Sequence, residues 1–157
     1  MDDAIENEAR ARHDRHIDHP THRPLSPGYE SVGLYGEAEF ARVFGGNVDL
    51  VPRPGGDRGK DFILRLIIDD DPVMVPIDVK TARKPGNLIV ERGKIKRGTI
   101  YVLAGFNNAS KAAHLIGWEW SAALLRAPVK DFGYGVYNHY IPRYRLQTIA
   151  SLVARLG

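Results

Sequence analysis

Two runs of aliphatic and β-branched residues, "DFILRLII" (61–68) and "VMVPIDVKTA" (73–82), lie on either side of the polar stretch "DDDP". The runs predict two strands and the polar stretch a turn, so the segment is expected to form a hairpin. Upstream, "GLYGEAEFARVFGG" (33–46) places Ala38, Phe40, Ala41 and Phe44 on one side of a short helix that Gly45 and Gly46 stop. "NVDLV" predicts a short strand. "NLIVE", "TIYVLAGF", "AHLIGWEW" and "YGVYNHYIP" predict further strands downstream, with Trp118 and Trp120 in the core. "SAALLRA" predicts a helix with Ser121 as its N-cap. "RLQTIASLVARLG" predicts a closing amphipathic helix with Leu146, Ile149, Val153 and Leu156 on one face. Strands in the middle with helices on the flanks predict an α/β sandwich around one mixed sheet.

Residues 1–30 lack this patterning. "HPTHRPLSPG" carries three prolines, and His13, His16, His19 and His22 recur at spacing three among Asp14 and Asp18. Histidine with carboxylate suits zinc or nickel, but Pro20 interrupts any single helical face. The segment is expected to be a flexible polar arm, and residues 31–157 the folded domain.

At 157 residues the chain is long enough for one domain with a substantial core. It has no cysteine, which excludes disulfides and thiolate metal sites. No apolar run long enough to span a bilayer occurs, so no membrane association and an intracellular, cytoplasmic location are expected. The net charge of +3 conceals an asymmetry. Residues 1–72 hold nine Lys/Arg against 15 Asp/Glu, and residues 73–157 hold 13 against four. A basic half is either a solvated surface or a face for an anionic partner such as nucleic acid.

Charge inside the hairpin changes the picture further. In "PIDVK", Asp78 and Lys80 fall on one face of the strand while Ile77 and Val79 fall on the other. A hairpin turning near Asp70 brings Asp61 back beside residues 78–80. Two converging carboxylates repel unless something neutralises them. A hard divalent cation does so, taking carboxylates, waters and substrate phosphate as ligands. Such an ion lowers the pKa of bound water and polarises a phosphoryl oxygen, and a nearby lysine can orient that water or stabilise developing negative charge. The structural alternative is a same-face ion pair, with Asp61 capping a turn.

"GLYGE", "GDRGKDF" and "IDVKTA", in this order, resemble the motifs of the PD-(D/E)XK nuclease superfamily. The resemblance covers about Gly33 to Trp120. It implies the restriction-endonuclease-like fold, a three-layer sandwich with a central mixed sheet between helices, and a metal-dependent nuclease. By the resemblance, Asp61 and Asp78 bind metal (Mg²⁺ or Mn²⁺), Lys80 serves the attacking water, and Glu37 on the first helix joins the site. Lys60 stands where the family's first motif often has proline. Glu37 also suits a helix's first turn for electrostatic reasons, and Asp57 suits a turn.

Downstream of Lys80, "KTARK" and "ERGKIKRG" supply Arg83, Lys84, Arg92, Lys94, Lys96 and Arg97, which could follow a phosphate backbone. Tyr134, Tyr137, Tyr140 and Tyr144 could stack on bases, but core packing and sheet edge are the favoured expectation for them. The expected function is hydrolysis of phosphodiester bonds in DNA by an endonuclease or junction resolvase, with RNA left open. The alternative is a nucleic-acid-binding module that keeps the fold without cleaving. Small members of the superfamily often dimerise, so the resemblance allows a homodimer.

Overall fold

The computed structural model describes residues 29–52 and 60–157, with side chains for all of these except residues 29–31, 46, 49–52, 60 and 61. The expected histidine arm and Asp57 lie outside the described residues. The chain is α/β. Its elements are α1 (Tyr29–Phe44), β1 (Val48–Pro52), β2 (Lys60–Ile68), β3 (Asp71–Ala82), β4 (Asn87–Glu91), β5 (Ile100–Asn107), β6 (Ala112–Trp120), α2 (Ser121–Arg126), β7 (Val129–Asp131), β8 (Tyr137–Pro142) and α3 (Ile149–Val153). A main five-stranded sheet has the order β1-β2-β3-β5-β6, and a small sheet has the order β4-β8-β7. All pairings in the main sheet are antiparallel except β3 with β5, so the sheet is mixed.

The hairpin forms as its sequence predicts. Ile68 pairs with Asp71, leaving a two-residue loop of Asp69 and Asp70. Both have positive φ (49° and 69°), the signs of the type I′ turn whose twist matches the flanking strands. Strand β3 begins earlier than expected, because Asp71 and Pro72 already pair with Ile68 and Ile67.

The two faces of the main sheet bury different layers. Phe62, Leu64 and Leu66 of β2, Val75 and Ile77 of β3, Ile100 and Val102 of β5 and Trp118 of β6 share one face. Phe40 and Phe44 of α1 and Leu152 of α3 pack onto it. On the other face, Tyr101 and Leu103 pack against Leu88 and Val90 of β4 and Leu124 of α2. The small sheet therefore covers the side of the main sheet opposite α1.

Helix α1 reaches the sheet through Gly36. A Cβ at this position would lie 1.8 Å from Thr81 Oγ1, an overlap no side chain tolerates. The absence of a side chain lets the helix axis approach β3 directly. Thr81 Oγ1 is buried there with no hydrogen-bond partner among the described residues.

The C-terminal segment departs most from its sequence pattern. Only Ile149–Val153 are α-helical, capped by Thr148 Oγ1, which accepts from the Ser151 amide at 3.2 Å. Before it, Gln147 exchanges backbone hydrogen bonds with Trp118 at the edge of β6. After it, Ile67 N donates to Arg155 O at 2.7 Å and Gly157 N to Arg65 O at 3.2 Å, beyond the stretch of β2 paired with β1. The segment thus crosses the sheet and ties two of its edges, and residues at both ends are spent on β bridges rather than helix. Ile149 and Leu156 pack on the core as expected, but Leu152 is fully buried where Val153 was expected, and Val153 is 43% exposed. Trp118 anchors the crossing: its indole N–H is within 3.0 Å of both Thr148 O and Ser151 Oγ.

Ser121 is the first residue of α2, and Trp120 occupies the cap position without a side-chain cap. Ser121 is instead buried and exchanges contacts with Thr99, its amide donating to Thr99 O at 2.8 Å. Tyr134, Tyr137 and Tyr144 are exposed, so the core-packing part of the expectation for them is corrected; Tyr140 is half-buried. No helix among the described residues is long and apolar enough to cross a membrane.

Candidate functional site

The register of β3 decides which of its charged residues share a surface. Ile77 pairs with Ile100 on the α1 side. Asp78 pairs with Tyr101, and Lys80 with Leu103, on the side of the small sheet. The alternation expected from "PIDVK" is therefore realised, and the acid and lysine project from the same face.

The Asp78 side chain is 7% exposed, and Lys80 Nζ lies 3.4 Å from its Oδ1. An ionised carboxylate placed this deep is tolerated only with compensating charge. A second cation supplies more: Lys96 Nζ lies 3.9 Å from Asp78 Oδ2. Lys96 comes from the segment joining β4 to β5, and its backbone N–H donates to Tyr101 Oη at 2.9 Å. Tyr101 is itself fully buried beside Asp78. The buried phenol therefore fixes the backbone of the segment from which the second lysine reaches the carboxylate.

Asp61 enters this arrangement through its backbone. Phe62 pairs with Ile77. Continuing the antiparallel register by one step puts position 61 level with position 78 on the adjacent strand, about 5 Å away. On its other side Asp61 pairs with Val51 of β1. The hairpin inferred from the sequence is present as far as the Phe62–Ile77 pair.

Glu37 enters from the opposite layer. It is half-buried, one residue beyond Gly36, where α1 packs on Thr81. Thr81 lies on the α1 side of β3, whereas Asp78 and Lys80 project from the other. Glu39 is engaged by Arg42, whose Nε donates to Glu39 Oε2 at 3.0 Å. This hydrogen bond and the carboxylate's charge raise the Arg42 pKa above its ordinary value.

The basic residues expected to follow a phosphate backbone divide into three groups. Arg83 Nε donates to Asn108 Oδ1 at 2.9 Å, which ties the end of β3 to the loop after β5. Lys84, Arg92 and Arg97 are exposed, and Lys94 pairs with Glu91 at 3.0 Å. Lys96 belongs with Asp78, a placement no sequence spacing indicates because its partner lies in another strand.

Among the described residues no three His, Asp or Glu side chains gather as a set that could hold a metal ion; the hard oxygen donors on this face are those of Asp78. No family model, no curated protein and no solved structure matches this chain.

Proposed function

We propose that this chain is a divalent-metal-dependent nuclease that hydrolyses phosphodiester bonds in DNA, built on a restriction-endonuclease-like core. The observation that carries the reading is the buried Asp78 carboxylate with Lys80 Nζ at 3.4 Å on one face of β3, one step past the Phe62–Ile77 pair whose continuation on β2 is Asp61. A structural salt bridge accounts for the pair alone. It gives no reason for a second aspartate at the adjacent position or for a second lysine drawn in from the β4–β5 segment.

In this reading Asp61 and Asp78 would hold Mg²⁺ or Mn²⁺, whereas Glu37, expected to join them, sits on the α1 side of β3 and stays outside the ion's ligand set. The bound ion supplies Lewis-acid polarisation of the phosphoryl oxygen and a water of lowered pKa. Lys80 is held by Asp78, so its ammonium is oriented before substrate arrives and stabilises negative charge where it develops. Lys96 lies on the second carboxylate oxygen, from where it can turn toward a substrate phosphate. Burial of Asp78 keeps bulk water from screening these charges. The basic surface of residues 84–97 draws in the polyanion.

The test is cleavage of duplex, single-stranded, flapped and four-way-junction DNA with Mg²⁺, by wild type, Asp78→Asn and Lys80→Met. The proposal expects cleavage by wild type, its loss in both variants, and its loss with chelator. Equal cleavage by wild type and Asp78→Asn contradicts it. DNA binding without cleavage in any divalent metal supports the alternative, a binding module that retains the core.

A further inference from the structure

We infer that Tyr137 and Arg92 form a stacking platform for an unpaired DNA base at one end of the small sheet. The inference names the substrate class of the nuclease reading and rests on it for the role of the neighbouring site.

The platform is set by register. Strand β4 pairs with β8 up to Glu91 and Asn138. One step further, the Arg92 amide donates to Tyr137 O at 3.0 Å, which carries the ladder past the end of β4. On β8, Tyr137 falls on the same face as His139 and Ile141. Those residues pair with Val90 and Leu88, whose side chains pack toward Tyr101 and Leu103 of the main sheet. Tyr137 therefore prolongs the inner face of the small sheet, yet it is 50% exposed.

The Arg92 guanidinium lies over the Tyr137 ring, 5.1 Å from its centroid. A cation stacked on a phenol limits the ring's motion and adds positive charge to a flat surface. From Arg92 the chain runs through Lys94 to Lys96, which meets Asp78, and then enters β5. Platform and carboxylate thus stand at the two ends of one short cationic segment fixed by Tyr101 Oη. A flat π surface with a guanidinium and a row of lysines matches a base whose backbone phosphates continue along the segment. A base inside a duplex is stacked on both faces and offers none to a side chain, so the occupant is single-stranded DNA or the unpaired arm of a flap.

The experiment is fluorescence anisotropy of the full chain with labelled oligothymidylate, oligouridylate and a blunt duplex, all in chelator so that nothing is cleaved. The variants are Tyr137→Ala, Tyr137→Trp and Asp78→Asn. Tyr137→Ala is expected to weaken oligothymidylate binding by about 10-fold or more, the worth of one stacked base. Tyr137→Trp is expected to retain it, and duplex binding is expected to stay within about 2-fold of wild type because phosphate contacts are unchanged. Unchanged oligothymidylate binding in Tyr137→Ala overturns the inference, as does a parallel loss for the duplex. Tighter binding of oligouridylate than oligothymidylate overturns the choice of DNA. Tyr137-dependent binding by a protein that cleaves nothing in Mg²⁺ leaves the platform standing and removes the nuclease reading. Cleavage lost in Asp78→Asn, with single-strand binding indifferent to Tyr137, does the reverse.

Discussion

The two faces of β3 place residues of opposite character one position apart. On one face Val75 and Ile77 are buried under the aromatic rings of α1. On the other, Asp78 is also buried, but against two lysines and a phenol. Asp78, like Val75 and Ile77, is buried, so burial alone does not distinguish core from site. What differs is the means of compensation. The first face needs only matching shapes, and its stability scales with the apolar area removed from water. The second carries a charge whose burial costs free energy and is offset by cations reaching in from partly exposed positions. Lys80 is 29% exposed and Lys96 50% exposed, so both can rearrange when a ligand arrives.

This contrast fixes what substitutions should do. The largest effects separate the faces. Ile77→Ala on the α1 side is expected to cost about 2–5 kcal/mol, read by denaturant unfolding, and to alter activity only through stability. Asp78→Asn is expected to shift Tm by no more than about 3 °C, since its lysine partners relax into solvent. The same variant should lower DNA cleavage by about 100-fold or more, the loss expected when a group acting on the transition state is removed. A large Tm loss with intact cleavage would make Asp78 a structural residue and erase the contrast.

A smaller effect sharpens the boundary between the layers. Gly36→Ala is expected to destabilise by about 1–3 kcal/mol, because its methyl collides with Thr81. Adding Thr81→Ala should recover part of the loss, and a double-mutant cycle measures how much. No recovery would mean that α1 is held off β3 by something else.

The hairpin tip, remote from both layers, should respond weakly. Asp70 has φ 69°, and glycine there removes the left-handed penalty, so Asp70→Gly is expected to stabilise by up to about 1 kcal/mol. The loop carrying Tyr134 offers the mildest test. Asp131 accepts from the amides of Gly133, Tyr134 and Gly135 at 2.8, 3.0 and 3.1 Å, and the bond from Gly133 leads in holding its pKa below the ordinary value. With the folded value depressed, this stabilisation is complete above the unfolded carboxylate range near pH 4 and fades as pH falls through the folded value. Amide chemical shifts of Gly133 to Gly135 should follow that titration, and Asp131→Asn should abolish it.

The hairpin was legible in the sequence because alternation, β-branched residues and an aspartate-rich turn all point to it. The Asp78–Lys80 pair follows from the same alternation. Lys96 was legible only as a basic surface residue, since its meeting with Asp78 depends on how the β4–β5 segment crosses back to the main sheet. The small sheet was hidden for a related reason: "NLIVE" reads as a strand, but nothing local says that its partner is β8 rather than the main sheet. The C-terminal pattern misled because residues flanking α3 find backbone partners at the sheet edges, and these tertiary bonds outweigh helix propensity. Tyr134 and Tyr137 resemble core residues by type, and only the ends of strands β7 and β8 reveal that they face solvent.

The central claim is that Asp78 and Asp61 share one divalent ion. Titrating Mn²⁺ into isotopically labelled protein and recording paramagnetic broadening of the amide spectrum tests it most directly. The account predicts early, localised broadening at residues 61, 78–80 and 101, and its disappearance in Asp78→Asn. Broadening confined to other regions, such as the histidines of residues 13–22, or unaltered by Asp78→Asn, would contradict it.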